Sequence, residues 1–245
     1  MKTLLLLICI IYSSFSVAAT PQRLLSTSEQ LIVVTTPTWD SINGQMQRFE
    51  RNSTEHSWKA IGKPIAVVVG KHGMGWDMHL NDSSRVVVKH EGDGLTPMGI
   101  YAIGPIFGFA GKSHYKAHYF PLTDASVCVD DVKSIYYNQL IDATSVTKID
   151  WNVGEKMRQI PQYKFGTVVQ YNTTPKVPHA GSCIFMHIWK SPTSGTAGCI
   201  AMEEPNLKET LAWLESQKNP IIVIFTMPVY KNLKSKWTLP PVKDE

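Results

Sequence analysis

Residues 185–202 read FMHIWKSPTSGTAGCIAM, and two of their side chains are a nucleophile and a base of the kind used in acyl transfer: Cys199 and His187. A cysteine attacks a carbonyl as its thiolate, so it needs a neighbouring group to take its proton and donors for the oxyanion that follows. His187 is the candidate base, able to receive the thiol proton and return it to a leaving amine. Gly198 presents no side chain, so a substrate backbone can approach, and Gly198 and Cys199 both offer backbone N–H groups. Trp189 is placed to wall such a site. The competing reading is a buried strand followed by an inert core cysteine, because a free cysteine also behaves as a small hydrophobe. Spacing alone leaves both open.

Positioning this pair is a matter of short β-type runs. LIVVTT (31–36), GQMQRFERN (44–52), PIAVVVG (64–70), RVVVKH (85–90), KFGTVVQYN (164–172), SCIFMHIW (182–189) and PIIVIFTM (220–227) read as strands, punctuated by Asn43-Gly44 and Gly62-Lys63-Pro64 turns. EGDGLTPMGIYAIG (91–104) reads as a Gly- and Pro-rich turn entering a strand near 100–103. Residues 127–142 read as irregular with one helical turn. One helix follows Pro205, with Leu207, Leu211 and Leu214 on a single stripe. The tail from Lys231 reads as a loose extension. His187 then lies near the end of a strand, and the Ser-, Thr-, Pro- and Gly-rich segment 190–197 turns the chain back to bring Cys199 beside it. The expected class is mainly β with one or two helices, a catalytic domain over 20–230 and an extension over 231–245.

The chain has 245 residues with a formal net charge of +4 and no basic run, which gives no support for nucleic-acid binding. Lys2, an apolar run over 4–12 and small residues ending at Val17-Ala18-Ala19 read as a secretory signal peptide over 1–19. No later run is long enough to span a bilayer, so no membrane span is expected after its removal. Loss of the signal also removes Cys9, leaving Cys128, Cys183 and Cys199. In an oxidising compartment Cys128 and Cys183 form a disulfide that leaves Cys199 as the odd thiol, or Cys183 stays a free thiol near the site; sequence does not decide connectivity. His72, His79 and His90 have no zinc-ligand spacing, and neither a metal nor another cofactor is expected.

His187, a spacer, then Thr196-Ala197-Gly198-Cys199-Ile200 resembles the active-site signature of the L,D-transpeptidase (YkuD-like) family of bacterial cell-wall enzymes. Thr96-Pro97-Met98-Gly99 with Tyr101 resembles that family's second signature. The two occur in the family's order. Ala197 and Ala201 depart from the pattern, at positions where the family often carries His and Arg or Asn, and mark a divergent branch. The resemblance implies a β-sandwich catalytic domain acting without a metal on peptidoglycan stem peptides in the periplasm or outside the cell. It implies a Cys199 thioester, with His187 as base oriented by a backbone carbonyl, and transfer to an amine. Alternatives on the same scaffold are an L,D-carboxypeptidase, an amidase releasing a wall protein, or a non-catalytic peptidoglycan-binding module. Thr196, Trp189 and Tyr137 are candidate substrate contacts. Asp93 and Thr96 are candidates to shape the cleft, or simply make turns. Oligomeric state is not specified.

Overall fold

The computed structural model describes residues 20–52, 57–78, 80 and 87–243. The signal-peptide reading of 1–19 and His79 fall outside these. A short helix, α1 (Pro21–Thr27), leads into β1 (Gln30–Thr36), β2 (Asn43–Glu50), β3 (Lys59–Val68) and β4 (Met74–Trp76). A long strand, β5 (Thr96–Gly108), is followed by β6 (Tyr119–Pro121), β7 (Ser126–Val129), β8 (Gln139–Asp142) and β9 (Glu155–Lys156). Then come β10 (Phe165–Val169), β11 (Phe185–Ile188), β12 (Ile200–Met202), helix α2 (Glu204–Trp213), β13 (Ile221–Thr226) and helix α3 (Met227–Lys234).

The main sheet runs β10-β11-β12-β3-β2-β1-β13-β5-β4, and β10 also pairs with β5. That second pairing joins the two halves of the expected sandwich into a closed circuit of eight strands. Closure leaves no free edge within the circuit, the feature that otherwise invites chain-to-chain pairing. β5 makes it geometrically feasible. Its first part, Gly99–Ala102, pairs with β13, and from Ile103 to Gly108 it pairs with β10, with an irregularity in that ladder at Gly104-Pro105.

β1 and β13 are buried along their whole lengths, so neither face of this parallel pair meets water. Continuous runs such as LIVVTT and IIVIFT are what a strand covered on both sides requires. One cover is the interior of the circuit; another is α3, which packs on both strands.

The mostly-β expectation holds, with three α-helices among the described residues where one or two were expected. The Gly62-Lys63-Pro64 signal is not a turn between strands. β3 continues through it to Lys59, with Gly62 at φ +69° and a register shift in the β2–β3 ladder, a bulge at a glycine in the left-handed region. Residues 127–142 are not irregular: β7 and β8 pair, with β9 on the other side of β7, as a separate three-stranded sheet. Within 87–90 only a single bridge, Val88 to Trp76, is formed. The tail is not loose either. α3 starts at Met227, directly after β13 ends, the Tyr230 hydroxyl donates to the Pro240 carbonyl at 2.6 Å, and Trp237 packs on Phe225. Apolar side chains at 230, 237 and 239 outweigh the two prolines that suggested an extended end.

Candidate active site

β11 and β12 run parallel, with Met186 opposite Ile200 and His187 opposite Ala201. The connection 189–199 therefore crosses back and delivers Cys199 at the start of β12, one strand away from His187. Hydroxyls on both sides hold this connection. Thr96 Oγ1, fully buried, donates to the Gly198 carbonyl at 2.7 Å and accepts from Gly70 N–H at 2.8 Å. Thr196 Oγ1 donates to the Cys199 carbonyl at 2.6 Å and accepts from Gly198 N–H at 3.1 Å. The Gly198 N–H is thus engaged within its own loop. Gly198 sits at φ +148°, and a Cβ there would come within 2.9 Å of the Leu95 carbonyl oxygen. Glycine is needed for both its backbone conformation and its lack of a side chain.

Cys199 is 5% exposed. Its Sγ accepts from Phe185 N–H at 3.3 Å and lies 3.4 Å from the Cys183 carbonyl, to which the thiol donates. Burial, reinforced by the Glu155 carboxylate, pushes this thiol up to about 12, against the lowering effects of the Phe185 N–H and the Tyr163 hydroxyl. His187 Nδ1 is 2.7 Å from the Ile188 carbonyl, so the ring is oriented by a backbone carbonyl. With that nitrogen donating, Nε2 is left as the acceptor. Burial lowers the imidazole to about 4. The resting pair is therefore a neutral thiol and a neutral imidazole. Among the described residues, no hydrogen bond joins the His187 ring to Cys199.

A disulfide links Cys128 on β7 to Cys183 in the segment before β11, which leaves Cys199 as the free thiol among the described cysteines. It ties the small sheet to the residue whose carbonyl meets the nucleophile. Asn138 adds a second tie, its Oδ1 accepting from Cys183 N–H at 2.9 Å.

The remaining sequence candidates divide. Asp93 organises its loop: its carboxylate accepts from Lys89 Nζ and His90 N–H, each at 2.6 Å, and from Leu95 N–H at 2.9 Å. Lys89, 2% exposed, is buried with this partner. Tyr137 is buried, donates to Glu91 Oε2 and accepts from Gly181 N–H. Trp189 lines an open cleft of about 840 Å³ with Thr35, Gly44, Val67 and Met227, a lining that does not include Cys199.

Two residues not singled out from the sequence stand beside the nucleophile. Tyr163 ends a short 3-10 turn before β10, and Glu155 lies on β9 opposite Cys128. The Tyr163 hydroxyl donates to Glu155 Oε2 at 2.7 Å and is one of the groups that lower the Cys199 thiol. The one signal bearing on Tyr163 is the crowding of aromatic residues around 163–165, which reads equally well as core; nothing local marks Glu155.

The described residues contain no helix long and apolar enough to cross a membrane. No curated protein and no solved structure matches the chain significantly. The L,D-transpeptidase catalytic-domain (YkuD) profile matches residues 38–224, which takes in both signatures, the Cys199 loop and every strand of the closed circuit except β1 and the last two residues of β13. The chain belongs to the L,D-transpeptidase catalytic-domain family, whose members act on peptidoglycan.

Proposed function

We propose that this protein is an exported cysteine acyltransferase of the bacterial envelope, an L,D-transpeptidase acting on peptidoglycan stem peptides. The observation that carries the reading is the free thiol of Cys199, held at the head of β12 by two buried or half-buried threonine hydroxyls and one strand from His187. Cys199 Sγ attacks the carbonyl at the L-centre of a diamino acid. The C–N bond to the terminal D-alanine breaks, and the leaving amine departs with the proton that the thiol gave up. The resulting thioester passes to an amine of a second stem, giving a cross-link and restoring the thiol. In this state Gly198 N–H is held by Thr196, so donors for the oxyanion come from that loop only if the bond to Thr196 Oγ1 yields or is shared.

The test is incubation of the purified protein with defined tetrapeptide and pentapeptide muropeptides, followed by mass analysis. Cross-linked dimers are the expected product. Tripeptides without dimers would identify a carboxypeptidase, and binding without any product a wall-binding module. Cys199→Ala is expected to fold, abolish turnover and lose the adduct that a carbapenem forms with the wild type on intact-protein mass spectrometry. Turnover by that variant would refute the assignment.

A further inference from the structure

Residues 112–119 read KSHYKAHY, the pattern Lys-x-His-Tyr twice over. Lys112, His114, Lys116 and His118 are exposed, and the residues between them are half-buried or buried. The cations therefore stand on one side of the segment, while Tyr115 and Tyr119 pack toward the core on the other. The segment joins β5 to β6 and is pinned at three points. The Tyr119 hydroxyl donates to the Ala110 carbonyl at 2.6 Å, His118 N–H donates to Ser216 Oγ at 2.9 Å, and Lys116 forms a backbone bridge with Glu215.

Between this segment, the start of β10 and the end of α2 lies an open cavity of about 400 Å³. The half-buried rings of Tyr115, Tyr119 and Phe165 form its floor, and the exposed side chains of Lys112, Lys116 and Lys164 stand about its rim. The cavity is thus formed before any ligand arrives, which lowers the ordering cost of binding. Its lining includes neither Cys199 nor His187, and it stands whether or not the acyl-transfer reading holds.

The floor and the rim select different parts of a ligand. The Tyr115 and Tyr119 centroids are 6.3 Å apart with the rings inclined at 43°. A flat base held between two rings needs them parallel and about 7 Å apart, two stacking distances, and these rings offer no such slot. A pyranose needs only one ring face for its C–H side, with polar groups nearby for its hydroxyls. Ser113 Oγ accepts weakly from Tyr115 N–H at 3.4 Å and keeps its own proton to donate. On the rim, Lys116 meets Glu215 at 3.0 Å and Lys164 meets Glu204 at 2.6 Å. Glu215 is shared with Lys218 at 3.1 Å. Lys112 pairs with no carboxylate among the described residues. Lys208 is exposed one turn along α2 from both Glu204 and Ala212, the latter at the cavity wall. The uncompensated charge is therefore positive and small, which suits a carboxylate rather than a polyphosphate.

We propose that this cavity binds a sugar that carries a carboxylate, its pyranose ring lying on Tyr115 and its carboxylate meeting Lys112. The test is isothermal titration calorimetry of the purified protein with digalacturonate at about 50 mM salt. One ion pair and one covered ring support a Kd of about 1 mM or below. The dimethyl ester keeps the rings and loses the charges; glutarate keeps the charges and has no ring. Each should bind at least about tenfold more weakly. Lys112→Ala should weaken digalacturonate binding about tenfold and Tyr115→Ala about three- to tenfold. Lys112 is exposed, so its variant decides the matter even if Tyr115→Ala fails to fold. No binding up to about 10 mM digalacturonate would overturn the proposal. So would equal affinity for the ester or for glutarate, or undiminished binding by Lys112→Ala. Tighter binding of hexaglutamate than of digalacturonate would overturn it too, and would give the cavity to an acidic peptide.

Discussion

Replacing Thr96 by valine tests the claim that one hydroxyl locks the nucleophile loop. The side chains are nearly the same shape, so the change removes two hydrogen bonds with little loss of packing. Thr96 is fully buried, and its Oγ1 serves Gly70 N–H at 2.8 Å and the Gly198 carbonyl at 2.7 Å. Without it both backbone groups are left unsatisfied in the interior. A buried group stranded in this way costs about 1–3 kcal/mol, so the pair should cost about 2–6 kcal/mol. For a domain of this size that is a fall in Tm of roughly 4–24 °C. Thermal unfolding followed by circular dichroism reads the shift, with the disulfide kept oxidised. Turnover should fall as well, measured well below Tm where the variant is folded, because the Gly198–Cys199 peptide is no longer fixed. Thr196→Val supplies the second arm of a double-mutant cycle. Both hydroxyls address the Cys199 carbonyl, at 3.4 and 2.6 Å, so the two losses should be non-additive. A Thr96→Val protein melting within about 1 °C of the wild type would refute the reasoning, since the buried N–H and C=O could not then be stranded.

Two further outcomes follow from the same neighbourhood. Gly198→Ala must place a Cβ within 2.9 Å of the Leu95 carbonyl at a φ of +148°; it should cost about 1–3 kcal/mol and most of the turnover, and wild-type melting and activity would show that the loop relaxes freely. The Cys128→Ser, Cys183→Ser double variant opens a link between residues 55 apart; chain-entropy reasoning gives about 4 kcal/mol, and identical melting of the oxidised wild type and this variant would contradict it.

The parts of the site legible in the sequence are those built from local pattern. The apolar run of β11, the turn-forming residues after Trp189 and the glycine before Cys199 are neighbours in the chain, and their types state what each does. The buried strands β1 and β13 were equally plain, since seven and six consecutive residues with no polar face admit few other roles. Tyr163, Glu155 and the partner of Cys183 were not legible, because each depends on which distant strands meet. Glu155 sits on a two-residue strand that no periodicity could reveal, and it gains its setting only when β9 pairs with β7. Thr96 was recognised within its motif, but its choice between turn and site was not; the structure makes it a link between two loops that are over a hundred residues apart in the chain. The C-terminal tail was misjudged because two prolines were weighed more heavily than Tyr230, Trp237 and Leu239.

The parallel ladder between β1 and β13 sets the order in which this molecule is made. Its partners, Leu31 with Ile221 through Thr36 with Thr226, come from opposite ends of the chain. The circuit of strands therefore closes only after nearly all residues have been synthesised, and contacts of such long sequence separation form slowly. Until closure, Thr96 has no Gly198 to hold, and Cys128, Cys183 and Cys199 are all thiols open to oxidation. Cys199 lies nearer in sequence to Cys183 than Cys128 does. Local chemistry thus favours the wrong pairing, and the native choice is imposed by the meeting of β7 with the segment before β11. Refolding from the reduced, denatured chain should accordingly depend on disulfide exchange, whereas the oxidised chain carries the correct pair as a topological memory.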